Sequence, residues 1–141
     1  MSQKPENAFI SGVNRHLKDV YSEKMSNPWR AGTADVWYSG DRGDLWIEYK
    51  YVEKIPKSLE IRPALTPRQR KWLNDRHGEG REVAVILGCP DGGVIYIHGA
   101  WNKPLNTEEF CSRISSRKGI AQWIRSITGV SKCRSSDSPP G

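Results

Sequence analysis

The apolar and polar positions of the chain change period several times, and each change marks a different element. Phe9, Ile10, Val13, Leu17, Val20 and Tyr21 recur at spacings of three and four, which predicts an amphipathic helix over residues 5–23 with Pro5 in its first turn. Carrying that stripe back by three or four residues reaches Glu6, so an acid lies on the apolar face near the helix start. Residues 25–32, MSNPWRAG, read as a loop or a short irregular strand. TADVWYS, residues 33–39, reads as a strand with Asp35, Trp37 and Ser39 on one side, and GDRG, residues 40–43, as a tight connection to a second strand. That second strand, GDLWIEYKYV over residues 43–52, alternates: Leu45, Ile47, Tyr49 and Tyr51 point one way, Asp44, Trp46, Glu48 and Lys50 the other. One face is core. The other places a carboxylate and an ammonium two residues apart.

Residues 52–65 contain Pro56 and Pro63 and read as a loop. A helix then opens at Thr66-Pro67-Arg68-Gln69, with Thr66 as N-cap, proline at the first helical position and glutamine three residues after the cap. Trp72 and Leu73 form its apolar side, and Gly78 or Gly80 ends it. REVAVILG, residues 81–88, is a nearly unbroken apolar run, the pattern of a strand buried on both faces. After the turn CPDGG comes another strand, GGVIYIHG. Short helices are predicted over residues 107–114 and 119–127. There is no internal repeat and no composition break. The expectation is therefore a single domain over residues 1–130, with a motif-bearing core at about 5–98 and a basic helical part at about 105–130. Residues 131–141, rich in Ser, Asp, Pro and Gly, are expected to be disordered.

At 141 residues such a domain can bury a core without disulfides. Its 22 Lys and Arg against 16 Asp and Glu give a net charge of +6, which favours a polyanionic partner and makes nucleic acid the first candidate. No apolar run approaches the roughly 20 residues of a membrane helix, and the start lacks the apolar segment of a signal peptide, so no membrane partner is expected and a cytoplasmic location is. Cys89, Cys111 and Cys133 are widely spread with no CxxC pairing, and His16, His77 and His98 are scattered. This excludes a recognisable His/Cys metal cluster and leaves oxygen ligands for any ion.

If the strands bearing Asp35 and Glu48 are neighbours, those two acids, Glu6 and Lys50 can converge at one edge of a small sheet. That set suits divalent-metal chemistry on a phosphodiester. Hard cations such as Mg²⁺ take carboxylate, water and phosphate oxygens, and the ion offsets charge developing on phosphorus and the leaving oxygen. A lysine beside them can orient water or stabilise the transition state.

These residues resemble those of the PD-(D/E)XK nucleases, and within them the small VRR-NUC and Holliday-junction-resolvase-like members, including stand-alone phage versions. The matching elements are Glu6 in the first helix, Gly32-Thr33-Ala34-Asp35, Glu48-Tyr49-Lys50 as the ExK element, and the helix with Gln69 before the Val-rich strand. The resemblance spans roughly residues 6–88 and leaves the C-terminal third unmatched. It implies an α/β fold with a restriction-endonuclease-like core, a small mixed sheet flanked by helices. It also implies Asp35 and Glu48 as principal metal ligands, Glu6 as a further ligand directly or through water, Lys50 beside the attacking water, Gln69 as a helper, and the Tyr49 main-chain carbonyl in the metal shell. Mg²⁺ is the implied ion, with Mn²⁺ able to substitute. Two departures stand out: Ala34 replaces the usual proline, and the strand that members carry between the first helix and the aspartate is not visible in residues 25–32.

Simpler readings compete at each position. Glu48 and Lys50 alone would suit the solvated face of an edge strand. An acid at Glu6 suits the helix dipole. Gln69 is fully explained as the reciprocal partner of Thr66 in a capping box. Asp44 shares the face of Glu48 but beside Gly43 is more simply a turn residue, as is Asp41, and His16 reads as ordinary surface. Trp37, Trp46 and Trp72 read as packing, although exposed aromatics can stack on unpaired bases. Arg62, Arg68, Arg70, Lys71 and Arg76, with Arg113, Arg117 and Lys118 further on, are read as phosphate contacts. Taken together, the ordered set favours a metal-dependent endodeoxyribonuclease. Its selectivity for branched DNA such as a Holliday junction, and its place in a bacterial or phage-infected cell, rest on the resemblance. A junction substrate would call for a symmetric homodimer with a site on each strand. The alternatives are a sequence-specific restriction or homing-type nuclease, and a non-catalytic DNA-binding protein on a nuclease fold.

Overall fold

In chain order the elements are α1 (Gln3–Asn14), β1 (Tyr21–Lys24), β2 (Val36–Ser39), β3 (Asp44–Tyr51), α2 (Pro67–Gly78), β4 (Val83–Cys89), β5 (Gly92–Ile97), α3 (Thr107–Ser112) and α4 (Arg117–Thr128). They come from a computed structural model that describes residues 3–25 and 32–130. The strands form one five-stranded mixed sheet in the order β1-β2-β3-β4-β5. Neighbours are antiparallel except β3 and β4, which run parallel and are joined by the crossover through α2 that a parallel pair requires. This is the α/β architecture expected from the sequence, a small mixed sheet flanked by helices.

Strand β4 lies inside the sheet with both faces covered, and all its residues are buried, which is why it reads as an unbroken apolar run. On one face α1 and α4 pack Phe9, Ile10, Val13, Ile120 and Ile124 against Val36, Tyr38, Ile47, Tyr49 and Ile86. On the other, Leu73 of α2, Trp101, Leu105 and Phe110 cover Val83, Val85, Leu87 and Val94. The long loop between β3 and α2 is tied down by Ile61, whose backbone pairs with Leu105 in an antiparallel bridge.

The first helix is shorter than its apolar stripe predicts. It ends at Asn14, and His16, Leu17 and Val20 donate backbone hydrogen bonds to carbonyls three residues back. Leu17 and Val20 are still buried, so successive turns keep the spacing of three after the helix has stopped. Tyr21 to Glu23, predicted as helix, instead belong to β1, which places a strand between the first helix and Asp35 where none was visible in the sequence. Every residue of β1 is exposed, so this edge strand leaves no alternation to read. Most of the stretch 25–32 lies outside the described residues, as does the tail 131–141. The last helices are offset slightly from prediction, with α3 stopping at Ser112 and α4 starting at Arg117 behind the Ser116 N-cap.

Two glycines bring helices close to the sheet. A Cβ at Gly88 would lie 2.9 Å from the Phe9 ring, so the bare backbone of β4 lets α1 settle there, one turn after Glu6. Gly32 has φ 98°, and a Cβ there would meet the Arg68 carbonyl oxygen at 2.8 Å. The segment leading to Asp35 therefore passes over the first turn of α2, the turn that carries Gln69.

Candidate active site

The register of the β2–β3 hairpin pairs Val36 with Ile47, so one step further Asp35 lies across from Glu48 on the sheet face opposite α1. Asp35 Oδ2 accepts a hydrogen bond from the backbone N–H of Tyr49 at 2.9 Å, which fixes the aspartate against β3. Glu48 is 1% exposed, one of two buried polar or charged residues in the described core. Its Oε2 accepts a hydrogen bond from Gln69 Nε2 at 3.0 Å and lies 3.4 Å from Lys50 Nζ. Its Oε1 is buried with no hydrogen-bond partner.

Gln69 reconciles two readings that compete at the sequence level. Its Oε1 accepts from the Thr66 N–H while its own N–H bonds the Thr66 hydroxyl, completing the capping box. The remaining end of the amide reaches Glu48. One side chain thus caps α2 and orients the buried carboxylate.

The electrostatics reflect two acids placed together in a poorly hydrated setting. Burial, reinforced by the Asp35 charge and only partly countered by Lys50, pushes the Glu48 carboxyl up to about 8. Burial likewise raises Asp35, against the lowering effect of the Tyr49 N–H. Glu6, half-buried at the start of α1, is raised by burial and by Asp35 and steadied by Lys50 and Lys24. Asp35, Glu48, Lys50 and Gln69 are therefore brought together by contact or register, and Glu6 joins them electrostatically. Among the described residues, no group of three or more His, Cys, Asp or Glu side chains is gathered as a metal cage.

Lys24, at the end of β1, was not legible as a site residue. Its Nζ bonds Asn7 Oδ1 at 2.9 Å, beside Glu6, and its charge acts on both Glu6 and Asp35. Only the position of β1 shows this. Behind the sheet, Tyr38 donates to Asn14 Oδ1 at 2.7 Å, and the Tyr38 and Tyr49 hydroxyls are 2.6 Å apart, which anchors the strand segment whose N–H holds Asp35.

The comparisons bear on the fold. No protein-family model matches the chain, and no curated protein sequence does. Among solved structures the chain is similar to Archaeoglobus fulgidus Hjc, described as a Holliday junction resolvase from an archaeal hyperthermophile. The similarity has a TM-score of 0.52 and 14% identity, over 85% of this chain and 98% of that one. The fold is Hjc-like.

The basic positions predicted as phosphate contacts fall in two places. On and near α2, Arg68 is exposed and Arg70 half-buried, while Arg62, Lys71 and Arg76 hold ion pairs with Glu60, Asp75 and Glu79. Arg113 and Lys118 are exposed by α3 and α4, and Arg117 lies over the Phe9 ring at 4.9 Å. Among the described residues no helix is long and apolar enough to cross a membrane.

The donor set fits a hard divalent cation. Asp35 and Glu48 are close enough to share a proton, Glu48 Oε1 has no N–H or hydroxyl donor against it, and hard cations complete such oxygen sets with water and phosphate. Once both carboxyls ionise, the pair carries one more negative charge than the Lys50 ammonium at 3.4 Å supplies, and a divalent cation would balance it.

Proposed function

We propose that this protein is a metal-dependent endodeoxyribonuclease acting on branched DNA, a four-way junction being the substrate class favoured by the Hjc-like fold. The observation that carries the chemistry is the pairing of Asp35 with Glu48 beside Lys50, with one buried Glu48 oxygen left unpartnered. Asp35 and Glu48 would hold Mg²⁺, or Mn²⁺ in its place, with Glu6 acting through water. When bound, the ion lowers the pKa of a water and offsets charge on the phosphoryl oxygens. The chain supplies the rest. Lys50 places an ammonium beside the acids, where it orients the attacking water and stabilises the negative charge that builds during in-line displacement. Gln69 keeps Glu48 Oε2 turned inward, and the Tyr49 N–H keeps Asp35 in register. The exposed arginines and lysines hold flanking phosphates without reading sequence. A two-fold dimer would present one such site to each of two strands.

The test incubates the purified protein with labelled linear duplex, single strand, flap and four-way junction in Mg²⁺, Mn²⁺ or EDTA. Cleavage in either metal, absent in EDTA and fastest on the junction, is the expected result. Binding by folded protein with no cleavage in either metal would replace the nuclease with a non-catalytic DNA-binding protein.

The double duty of Gln69 gives a separate expectation. Thr66→Ala and Gln69→Ala should each lower stability by about 1 kcal/mol through loss of the cap. Only Gln69→Ala should also weaken Mg²⁺ binding, by about 10–100-fold, the usual effect of losing a group that orients a ligand. Thermal melts and titration calorimetry on both variants check this, and equal metal affinity in the two would remove Gln69 from the site.

A further inference from the structure

On the sheet face that carries the acids, the side chains form two rows running across the strands. The polar row is Asp35 just before β2, Glu48 on β3 and Gln69 on α2. Two residues along each strand and three along the helix lies a second row, Trp37, Trp46 and Trp72. Trp37 and Trp46 are stacked with ring centroids 5.7 Å apart and planes at 16°. Trp72 meets Trp46 edge-on at 5.8 Å, and Tyr21 of β1 meets Trp37 edge-on at 5.5 Å. Two residues of strand separate the rows by about 7 Å, within the reach of a single nucleotide.

We propose that this aromatic row is a stacking platform for an unpaired nucleobase, so that the preferred DNA carries at least one unpaired nucleotide beside the phosphate that an ion on Asp35 and Glu48 would hold. The proposal deepens the nuclease reading and rests on it for the position of the phosphate. Three observations favour a base as the occupant. The row is partly open to solvent: Tyr21 is 46% exposed, and Trp37, Trp46 and Trp72 are half-buried, with the Trp37 Nε1 on the buried side. The space beside Trp46 is walled by charges of both signs, Asp44, Glu79 and Glu82 with Arg42 and Arg81, so a strand can set its phosphates on the arginines while a neutral base lies on the rings. A cation sits at the far end, where the Arg76 guanidinium lies 5.7 Å from the Trp72 ring centroid, an arrangement that single-strand-binding surfaces use beside their stacking aromatics. Cross-strand aromatic pairs also stabilise a sheet. That role accounts for the packing of Trp37 on Trp46, and a base would add its contact on the part of the row left open to solvent. A second copy of the chain packed on the row would have to desolvate Glu23, Asp44 and Arg76, whereas charged residues are depleted from interface cores.

The experiment follows tryptophan fluorescence as wild-type protein is titrated with a thymidine oligonucleotide in EDTA, and with an abasic strand of equal length and charge. The expected result is quenching by the thymidine strand and affinity about 5- to 150-fold weaker for the abasic one, the range that stacking of one base supplies. Trp46→Leu should weaken the thymidine strand and leave the abasic strand unchanged. Tyr21→Ala, on the exposed edge strand, repeats the test at the most exposed ring of the row. Equal affinity for the two strands, or no binding of either, overturns the proposal. So does a Trp46→Leu effect that is the same on both strands and accompanied by a fall in sedimentation coefficient, which would make the row a subunit interface. The binding assay contains no metal, so it is independent of cleavage. Base-dependent binding without any cleavage in Mg²⁺ would leave the platform and remove the nuclease, and cleavage with base-independent binding would do the opposite.

Discussion

Lys50→Ala is expected to lower metal-dependent kcat/KM by about 10²–10³-fold, the effect of removing one preorganised charge from a developing oxyanion, and to leave the fold intact. The lysine side chain is 20% exposed and pairs with Glu48, so truncation gives up some packing of its methylene stem, and a thermal melt beside the activity assay separates that cost from loss of the ammonium. Asp35→Asn should be at least as damaging, because it takes away a ligand charge while preserving shape. The amide oxygen of asparagine can still accept the Tyr49 N–H that now holds Asp35 Oδ2. Removing a negative charge that faces Glu48 relieves repulsion, so the melting temperature of the metal-free variant should hold or rise. Mg²⁺ binding by calorimetry should disappear. The opposite pair of results, a lower melting temperature with Mg²⁺ binding unchanged, would mean that the acids are structural and would sink the nuclease assignment.

What could be read beforehand follows from how each residue encodes its place. Asp35, Glu48 and Lys50 sit on strands that alternate cleanly, and the connection GDRG makes a hairpin of them, so their common face is visible in one dimension. The capping box at Thr66 and Gln69 is likewise local, and it is present as expected. The bond from Gln69 to Glu48 is not local. It spans a crossover, and nothing in the helix pattern distinguishes a glutamine that only caps from one that also reaches a buried acid. Strand β1 was missed because its residues are all exposed and because Leu17 and Val20 continue the helical spacing through turns. With it went Lys24, whose approach to Glu6 and Asp35 depends on where that edge strand lies. The tryptophan row was legible only in part: Trp37 and Trp46 share the hairpin, but Trp72 reaches them across the crossover and Tyr21 from the unread edge strand.

The second large effect concerns protons and metal at Glu48. Its carboxyl ionises at about 8 in the folded protein against an ordinary value of 4.5, so between those values the folded chain holds a proton that the unfolded chain has released. Stability falls with pH wherever the native state binds more protons. The contribution of Glu48 is therefore complete below about pH 4.5 and is lost as pH rises through about 8, and Asp35 and Glu6 are shifted the same way. The metal-free wild type should accordingly melt lower at pH 8.5 than at pH 6, and Glu48→Gln, which cannot ionise, should show a flatter profile and a higher melting temperature at the alkaline end. A divalent cation changes this, because it competes with the same protons. Saturating Mg²⁺ should raise the wild-type melting temperature more at pH 8.5 than at pH 6, with about 2.7 kcal/mol of stabilisation when the ion is at a hundred times its dissociation constant. In Glu48→Gln the Mg²⁺ shift should be absent at both values. A wild-type melting temperature independent of pH in EDTA, or an equal Mg²⁺ shift in the two proteins, would separate Glu48 from the cation. If the shift vanishes in the variant, the orphaned Glu48 oxygen becomes functional: the fold keeps a destabilising acid pair buried because the ion that relieves it also carries the reaction.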